Sequence, residues 1–243
     1  MRYEMEFCIT KPQLPISYRE IFVSFFKKGM EKTGKDLYEK YYGVGKMKPI
    51  TWSASLPYPK FNKDYIDLGE GTIRLLLQVN ELEASLHYLN ACLSMKNIPF
   101  DLPGNNQIIL NKIRMVNVEK VKGNVVEVKF FSPLCIRDHN RETNKDWYFS
   151  IENDQFENKL KENIKRHVEP CLLEYVDILK IDFSNMKKTV VKIYEQNIEA
   201  SIGKMLLIGN PKLINYLLED GMGSRKASGF GFVQKLNEWE VSL

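Results

Sequence analysis

Apolar positions along the first half of the chain change period in a way that spells out its elements. Residues 3–9 predict a strand, which Lys11-Pro12-Gln13-Leu14-Pro15 breaks. Ser17-Tyr18-Arg19-Glu20 then has the spacing of a capping box, in which the serine hydroxyl and the glutamate carboxylate each satisfy an orphan amide. Ile21, Phe22, Phe25 and Phe26 follow on one helical face, so a helix is expected from here to Gly29 or Gly34. Residues 36–48, with Tyr38, Tyr41, Tyr42, Gly43 and Gly45, form a short helix or loop before a strand at 50–53. A further strand is expected at 71–79, a second helix at 81–93 from Leu82, Leu86, Leu89 and Leu93, and an extended run at 108–118. Strand, helix, strand, strand, helix, strand is the order of the ferredoxin-like unit, whose helices cover one face of an antiparallel sheet.

The second half repeats the scheme with insertions. Val126, Val128 and Phe130 alternate with Glu127 and Lys129, the period-two pattern of a half-buried strand, and Ser132-Pro133 ends it. Residues 137–145 are a polar stretch, and 147–151 are strand-like. Phe156, Leu160, Ile164 and Val168 mark a helix stopped by Pro170. Strands are expected at 175–183, 189–194 and 198–208. Asn210-Pro211 supplies an N-cap with proline at the first helical position, Leu213, Ile214, Leu217 and Leu218 form the buried stripe, and Gly221 closes the helix. A last strand is expected at 230–236. The fold class is therefore α+β, with two tandem ferredoxin-like (RRM-like) domains at 1–120 and 121–243, each an antiparallel sheet with helices on one face.

Composition narrows the class. Apolar residues make up 44% and aromatic ones 12%, enough for a proper core, which excludes wholesale disorder. A formal net charge of +4 carries no strong statement about nucleic acid by itself. No run approaches the roughly 18 consecutive apolar residues of a membrane span, and the charged start Met1-Arg2-Tyr3-Glu4 is unlike a signal peptide, so a soluble cytoplasmic protein is expected. Cys8, Cys92, Cys135 and Cys171 stand singly among apolar neighbours and are expected to be buried, reduced thiols, with no metal or other cofactor.

The segment richest in chemistry is Gly221-Met222-Gly223-Ser224-Arg225-Lys226-Ala227-Ser228-Gly229-Phe230-Gly231. Glycines bracket two cations and two hydroxyls between a helix and a strand, so that bare amides and positive side chains could approach a phosphate chain closely. A ligand-free glycine turn has the same composition. Gly229-Phe230-Gly231-Phe232-Val233 also resembles the core of the RNA-recognition-motif octamer, whose aromatics stack bases. That octamer is followed by a helix and another strand, which this chain lacks room for, so Phe230 and Phe232 are expected to pack the sheet.

Two glycines flanking an apolar residue, five mostly polar positions, then glycine, an aromatic and glycine resemble the C-terminal loop of the RAMP superfamily, and most closely that of the endoribonucleases that process precursor CRISPR RNA. The strand at 126–131 running into Ser132-Pro133-Leu134 and the helix at 210–220 are similar to that family's elements. The resemblance implies a metal-independent endoribonuclease that binds and cuts CRISPR repeat RNA, with Gly221, Gly223, Ser224, Arg225, Lys226, Ser228, Gly229 and Gly231 on the RNA and Arg137 and Arg141 as a second contact. In such a reaction the RNA's own 2′-hydroxyl attacks the phosphorus and leaves a 2′,3′-cyclic phosphate. It also implies a monomer or homodimer, with CRISPR effector subunits as candidate partners and no membrane partner.

The family's nuclease centre lies after the first helix, often with a histidine supported by a tyrosine and a lysine. Here the chain departs from it. Lys48-Pro49-Ile50-Thr51-Trp52-Ser53 matches the family's lysine and strand, which puts Tyr42 where the histidine would be, and the first-helix tyrosine position falls near Phe26, Lys27 or Lys28. Tyr42 is then the expected proton-transfer group, with Lys48 and Lys28 stabilising the phosphorane and depressing the phenol's pKa. It equally suits an aromatic support for an unstacked base or interdomain packing. His87 and His167 read as structural, and His139 as part of a basic loop. The missing histidine leaves open a second class of function, a non-catalytic RNA-binding RAMP subunit of a CRISPR ribonucleoprotein.

Overall fold

A computed structural model describes residues 1–46, 48–140 and 142–241, so Arg141 lies outside the described residues. Two compact units are present, Met1–Val118 with Lys192–Glu195, and Glu119–Val191 with Gln196–Leu243. In the first, β1 (Arg2–Ile9), β2 (Gln13–Pro15), α1 (Tyr18–Thr33), α2 (Lys35–Tyr42), β3 (Ile50–Ser55), β4 (Lys60–Phe61), β5 (Tyr65–Asp67), β6 (Ile73–Val79), α3 (Leu82–Ser94), β7 (Pro99–Leu102) and β8 (Asn106–Val116) follow one another. The main antiparallel sheet runs β3-β6-β1-β8-β7, with β2, β5 and β4 in a small sheet of their own. Its first four strands, with α1 and α3 between them, are the ferredoxin-like unit expected.

Alternation along β1 sends Tyr3, Met5 and Phe7 into the core and leaves Glu4 and Glu6 half-buried. Phe7 meets Phe22 and Phe25 of α1 edge-on at 5.3 and 5.2 Å, and Phe22 meets Trp52 of β3 at 5.6 Å. Each such pair adds about 0.5–1.5 kcal/mol beyond the area it buries.

Two local expectations fail for tertiary reasons. Ser17 makes no side-chain cap, and the Glu20 carboxylate instead accepts the Tyr194 amide at 2.7 Å, so the capping box does not form. In α3 the helix forms as expected, but Leu82, Leu86 and Leu93 are 63%, 51% and 45% exposed. Ala84, Ser85, Tyr88, Ala91 and Cys92 face inward instead. The reason is the closeness of α1: a β-carbon at Gly29 would stand 2.6 Å from the Ala91 carbonyl oxygen, so only small residues fit along much of that seam.

The second unit contains β9 (Val125–Phe130), β10 (Ile136–Asn140), β11 (Lys145–Phe149), α4 (Phe156–Lys165), α5 (Leu173–Ile178), β12 (Lys180–Asp182), most of β13 (Met186–Ile193), β14 (Gln196–Ile208), α6 (Pro211–Asp220) and β15 (Val233–Trp239). Its sheet runs β12-β14-β9-β15, with β13 also on β14, while β10 and β11 pair as a hairpin. The polar stretch at 137–145 is thus partly strand. The strand expected at 175–183 begins as helix: Pro170 opens a short 3-10 turn that runs into α5, where Val176 is buried, and only Lys180–Asp182 is extended. The last strand begins at Val233 because residues 226–232 still belong to the glycine-rich loop.

Helix α6 matches its sequence closely. The Asn210 side chain accepts the Lys212 amide at 2.8 Å, and Leu213, Ile214, Leu217 and Leu218 are buried. Asn210→Ala is expected to cost about 1 kcal/mol, read as a lowered urea midpoint with an unchanged slope.

Cys92 and Cys135 are buried, and burial pushes each thiol up to about 12. Cys8 and Cys171 are exposed, contrary to expectation: Cys8 lies near the end of β1, past the alternation that buries Phe7, and Cys171 in the 3-10 turn. Among the described residues no helix is long and apolar enough to cross a membrane.

Candidate functional site

In the first unit the end of α1, helix α2 and the segment before β3 bring lysines and tyrosines together. Tyr38 and Tyr42, one turn apart on α2, stack at 5.8 Å with their planes 17° apart. The Lys48 ammonium lies 5.2 Å from the centre of the Tyr42 ring and the Lys27 ammonium 5.6 Å from that of Tyr38, both cation–π contacts. Tyr194, in the tip Lys192–Glu195, acts electrostatically on both Lys27 and Tyr42. Its φ of 48° puts it in the left-handed region, and its amide is held by Glu20.

Burial and the nearby Lys27 charge lower the Lys48 pKa, whereas a hydrogen bond with Tyr38 raises that of Lys27. The two ammonium groups therefore repel, and no carboxylate appears among the groups acting on Lys48. An anion placed between such groups relieves their repulsion.

Tyr42 does not have the electronic character expected of it. Burial drives its phenol well above the ordinary value near 10, and its hydroxyl faces that of Tyr88 inside the unit. The Tyr88 hydroxyl is wholly buried and makes no properly formed hydrogen bond, so the pair stays protonated. Lys48 sits over the ring, not at the oxygen, which is why it fails to depress the phenol. Lys28 is turned to Glu31 at 3.2 Å with its side chain more than half exposed, and Lys27, one position earlier and so about 100° around the helix, occupies the cluster instead. Tyr38 was legible as the partner of Tyr42 at i, i+4; nothing in the sequence points to Tyr194.

In the second unit the glycine-rich loop lies against the segment that follows β9. The Ser132 hydroxyl accepts the Phe232 amide at 2.8 Å, the Pro133 carbonyl accepts the Gly231 amide at 2.8 Å, and the Cys135 carbonyl accepts the Ser224 amide at 2.6 Å. Such contact demands glycine: a β-carbon would stand 2.5 Å from the Cys135 oxygen at Gly223 and 1.9 Å from the Met222 oxygen at Gly231, both at positive φ. Phe230 and Phe232 are buried, as sheet-packing residues should be.

Amides expected to be bare are thus partly spent inside the protein, those of Gly221 and Gly229 also donating to the Leu217 and Lys226 carbonyls. Residues 224–228 remain half-buried, with Ser224, Arg225, Lys226 and Ser228 at the rim. Both cations have partners. Arg225 donates to the Tyr148 hydroxyl at 2.5 Å and reaches Asp146 at 3.4 Å, while Lys226 pairs with Asp220. Arg137 and His139 of β10 also converge on Asp146, each at 2.7 Å. Burial works against ionisation of Asp146, yet hydrogen bonds with Arg137, His139 and Tyr148 and the charge of the Arg137 guanidinium hold it below the ordinary carboxylate range. Two guanidiniums around one carboxylate leave the hairpin and loop with a positive excess.

The other histidines are structural in their contacts. His87 Nδ1 is 2.9 Å from the Tyr41 hydroxyl, and His167 Nδ1 is 2.7 Å from the Asn163 carbonyl. Among the described residues no His, Cys, Asp and Glu group has the form of a metal site.

Residues 116–235 match the family model of the CRISPR-associated protein Cas6 C-terminal region. No curated protein matches at a significant level. Among solved structures, a RAMP protein binding different RNA substrates is 18% identical with a TM-score of 0.80, covering 98% of this chain and 100% of its own. A Cas6-related protein from Pyrococcus furiosus is 17% identical with a TM-score of 0.81, covering 98% and 99%. A Cas6 in complex with its product is 17% identical with a TM-score of 0.71, covering 97% and 99%. The chain thus carries a Cas6 C-terminal region at residues 116–235 and shares its fold from end to end with Cas6 and RAMP proteins.

Proposed function

We propose that the protein binds CRISPR repeat RNA and cuts it in the cytoplasm, without a metal ion, by attack of the 2′-hydroxyl on the adjacent phosphorus. The observation that carries this reading is the pair of mutually repelling ammonium groups, Lys27 and Lys48, set against stacked Tyr38 and Tyr42. A scissile phosphate between them gains two cations and an aromatic wall for a flanking base. The O2′–P bond forms as the P–O5′ bond breaks; the 2′-proton passes to solvent, and Lys48, made more acidic by burial and by Lys27, gives a proton to the departing 5′-oxygen. Tyr42 positions Lys48 through its ring. Lys28 contributes at longer range as an exposed charge. The product RNA carries a 2′,3′-cyclic phosphate at one end and a 5′-hydroxyl at the other.

Along the second unit, Ser224, Arg225, Lys226 and Ser228 at the loop rim, with Arg137 and Arg141, hold the repeat backbone, while Gly221, Gly223, Gly229 and Gly231 set the loop's shape. Affinity should then fall steeply with salt. A second reading, a non-catalytic RNA-binding subunit of a CRISPR effector complex, is favoured by the protonated Tyr42 and the lack of a histidine in the cluster. Single-turnover incubation with labelled repeat RNA in EDTA separates the two. One cut with a cyclic-phosphate end, lost on 2′-deoxy substitution at the scissile nucleotide, is the expected result. Cutting of the deoxy substrate overturns the mechanism, and tight binding with no product supports the second reading.

A further inference from the structure

Strand β9 shows solvent an aromatic ring that the core has no use for. Alternation sends Val126, Val128 and Phe130 into the core shared with α4 and α6, and turns Glu127, Lys129 and Phe131 to the face that those helices leave free. Phe131 is 42% exposed. Its backbone is nonetheless fixed, because its amide donates to the Phe232 carbonyl at 2.9 Å, where the glycine-rich loop ends. The ring therefore stands in a set position beside that loop.

Sheet register places cations next to it. Lys129 lies directly opposite Lys204 of β14 on one side and Gln234 of β15 on the other. Like charges opposite one another on neighbouring strands destabilise a sheet, and an anion set between them relieves the repulsion. The one carboxylate in the row, Glu127, is already engaged: the Lys204 ammonium is 3.2 Å away, and Asn237 donates to it at 2.8 Å. Among the described residues Lys129 pairs with no carboxylate, and its ammonium lies 5.3 Å from the centre of the Phe131 ring. A ring for a base, two ammonium groups for a phosphate and an amide side chain thus share one patch of open sheet, the combination that single-stranded nucleic acid uses.

We propose that Phe131, Lys129 and Lys204 form a subsite for one nucleotide of the RNA, its base stacked on Phe131 and its phosphate held by the two ammonium groups. The inference rests on the reading of the chain as a binder of repeat RNA, and adds to it a contact that reads a base. Every base has a π-face, so the subsite fixes the register of the strand more than its sequence.

Fluorescence anisotropy with labelled repeat RNA, blocked at the scissile nucleotide by 2′-deoxy substitution, tests it. Phe131→Ala is expected to weaken binding roughly 5- to 150-fold, the range set by loss of one base–aromatic stack. When single abasic nucleotides are scanned through the repeat, one position should cost the wild type a similar factor and cost Phe131→Ala nothing further. That coupling compares two RNAs on the same variant, so a change in folded fraction does not move it. Lys129→Ala should lower the slope of log affinity against log salt by about 0.7–0.9, one phosphate's share. Wild-type affinity in Phe131→Ala, abasic penalties that are the same in both proteins at every position, or an unchanged salt slope in Lys129→Ala overturns the subsite and leaves repeat binding standing. A wild-type chain that binds no repeat RNA overturns the subsite and the proposed function together.

Discussion

Lys48→Ala is expected to slow repeat cleavage by roughly 10²- to 10³-fold, the loss typical when one preorganised charge donor is removed from a reacting oxygen, with affinity changing far less. The site explains the split. The ammonium is partly buried over Tyr42 and close enough to Lys27 to feel its charge; in the proposed mechanism it adds little to a backbone contact that many other cations share and acts where charge develops. The pH profile carries the sign. In the proposed mechanism Lys48 acts protonated, so the rate should fall as pH rises through its pKa, and because burial and Lys27 lower that pKa the fall should come at lower pH than for an ordinary lysine. Lys27→Ala removes the repulsion and is expected to move the alkaline limb upward even as the maximal rate drops. Single-turnover rates from pH 6 to 10 measure both effects; an alkaline limb that stays in place in Lys27→Ala removes Lys48 as the proton donor.

Gly231→Ala is the most damaging single change expected for stability. The new methyl would stand 1.9 Å from the Met222 carbonyl oxygen, on a residue whose φ of +70° is already costly for any side chain. Overpacking of about 1–3 kcal/mol and left-handed strain of about 1–2 kcal/mol together approach 3 kcal/mol or more. The displaced loop would also loosen the Gly231-to-Pro133 and Phe232-to-Ser132 hydrogen bonds. Urea unfolding should show a lowered midpoint, and RNA affinity should fall in step with the folded fraction. A fully stable Gly231→Ala protein that has lost RNA would instead mean that the position contacts RNA directly.

Element order was legible because each element declares its own period, as in the alternation of Val126, Val128 and Phe130 or the stripe Leu213, Ile214, Leu217, Leu218. The glycine-rich loop was legible as a loop, but its amides were expected to be open, and the carbonyls of Pro133 and Cys135 that occupy two of them lie some ninety residues earlier in the chain. Periodicity finds that 81–93 is a helix without saying which side faces in; that depends on how close Gly29 lets α1 come. In the lysine and tyrosine cluster the segment was found, yet Lys28 stood in for Lys27, because one residue along a helix is a large turn around it. Tyr194 had no local signal at all, and neither did the loss of the Ser17 cap to the amide that Glu20 holds.

That Glu20 and Tyr194 contact also dictates a sequence of events at the ribosome. Residues up to Val118 can assemble their sheet early, but the turn at 192–195 that finishes the unit is not yet made. At synthesis rates of about 5–20 residues per second, the nascent unit waits roughly 4–15 s for it. Through that interval the lysine and tyrosine cluster lacks Tyr194, so the centre proposed there is complete only after most of the polypeptide has been translated.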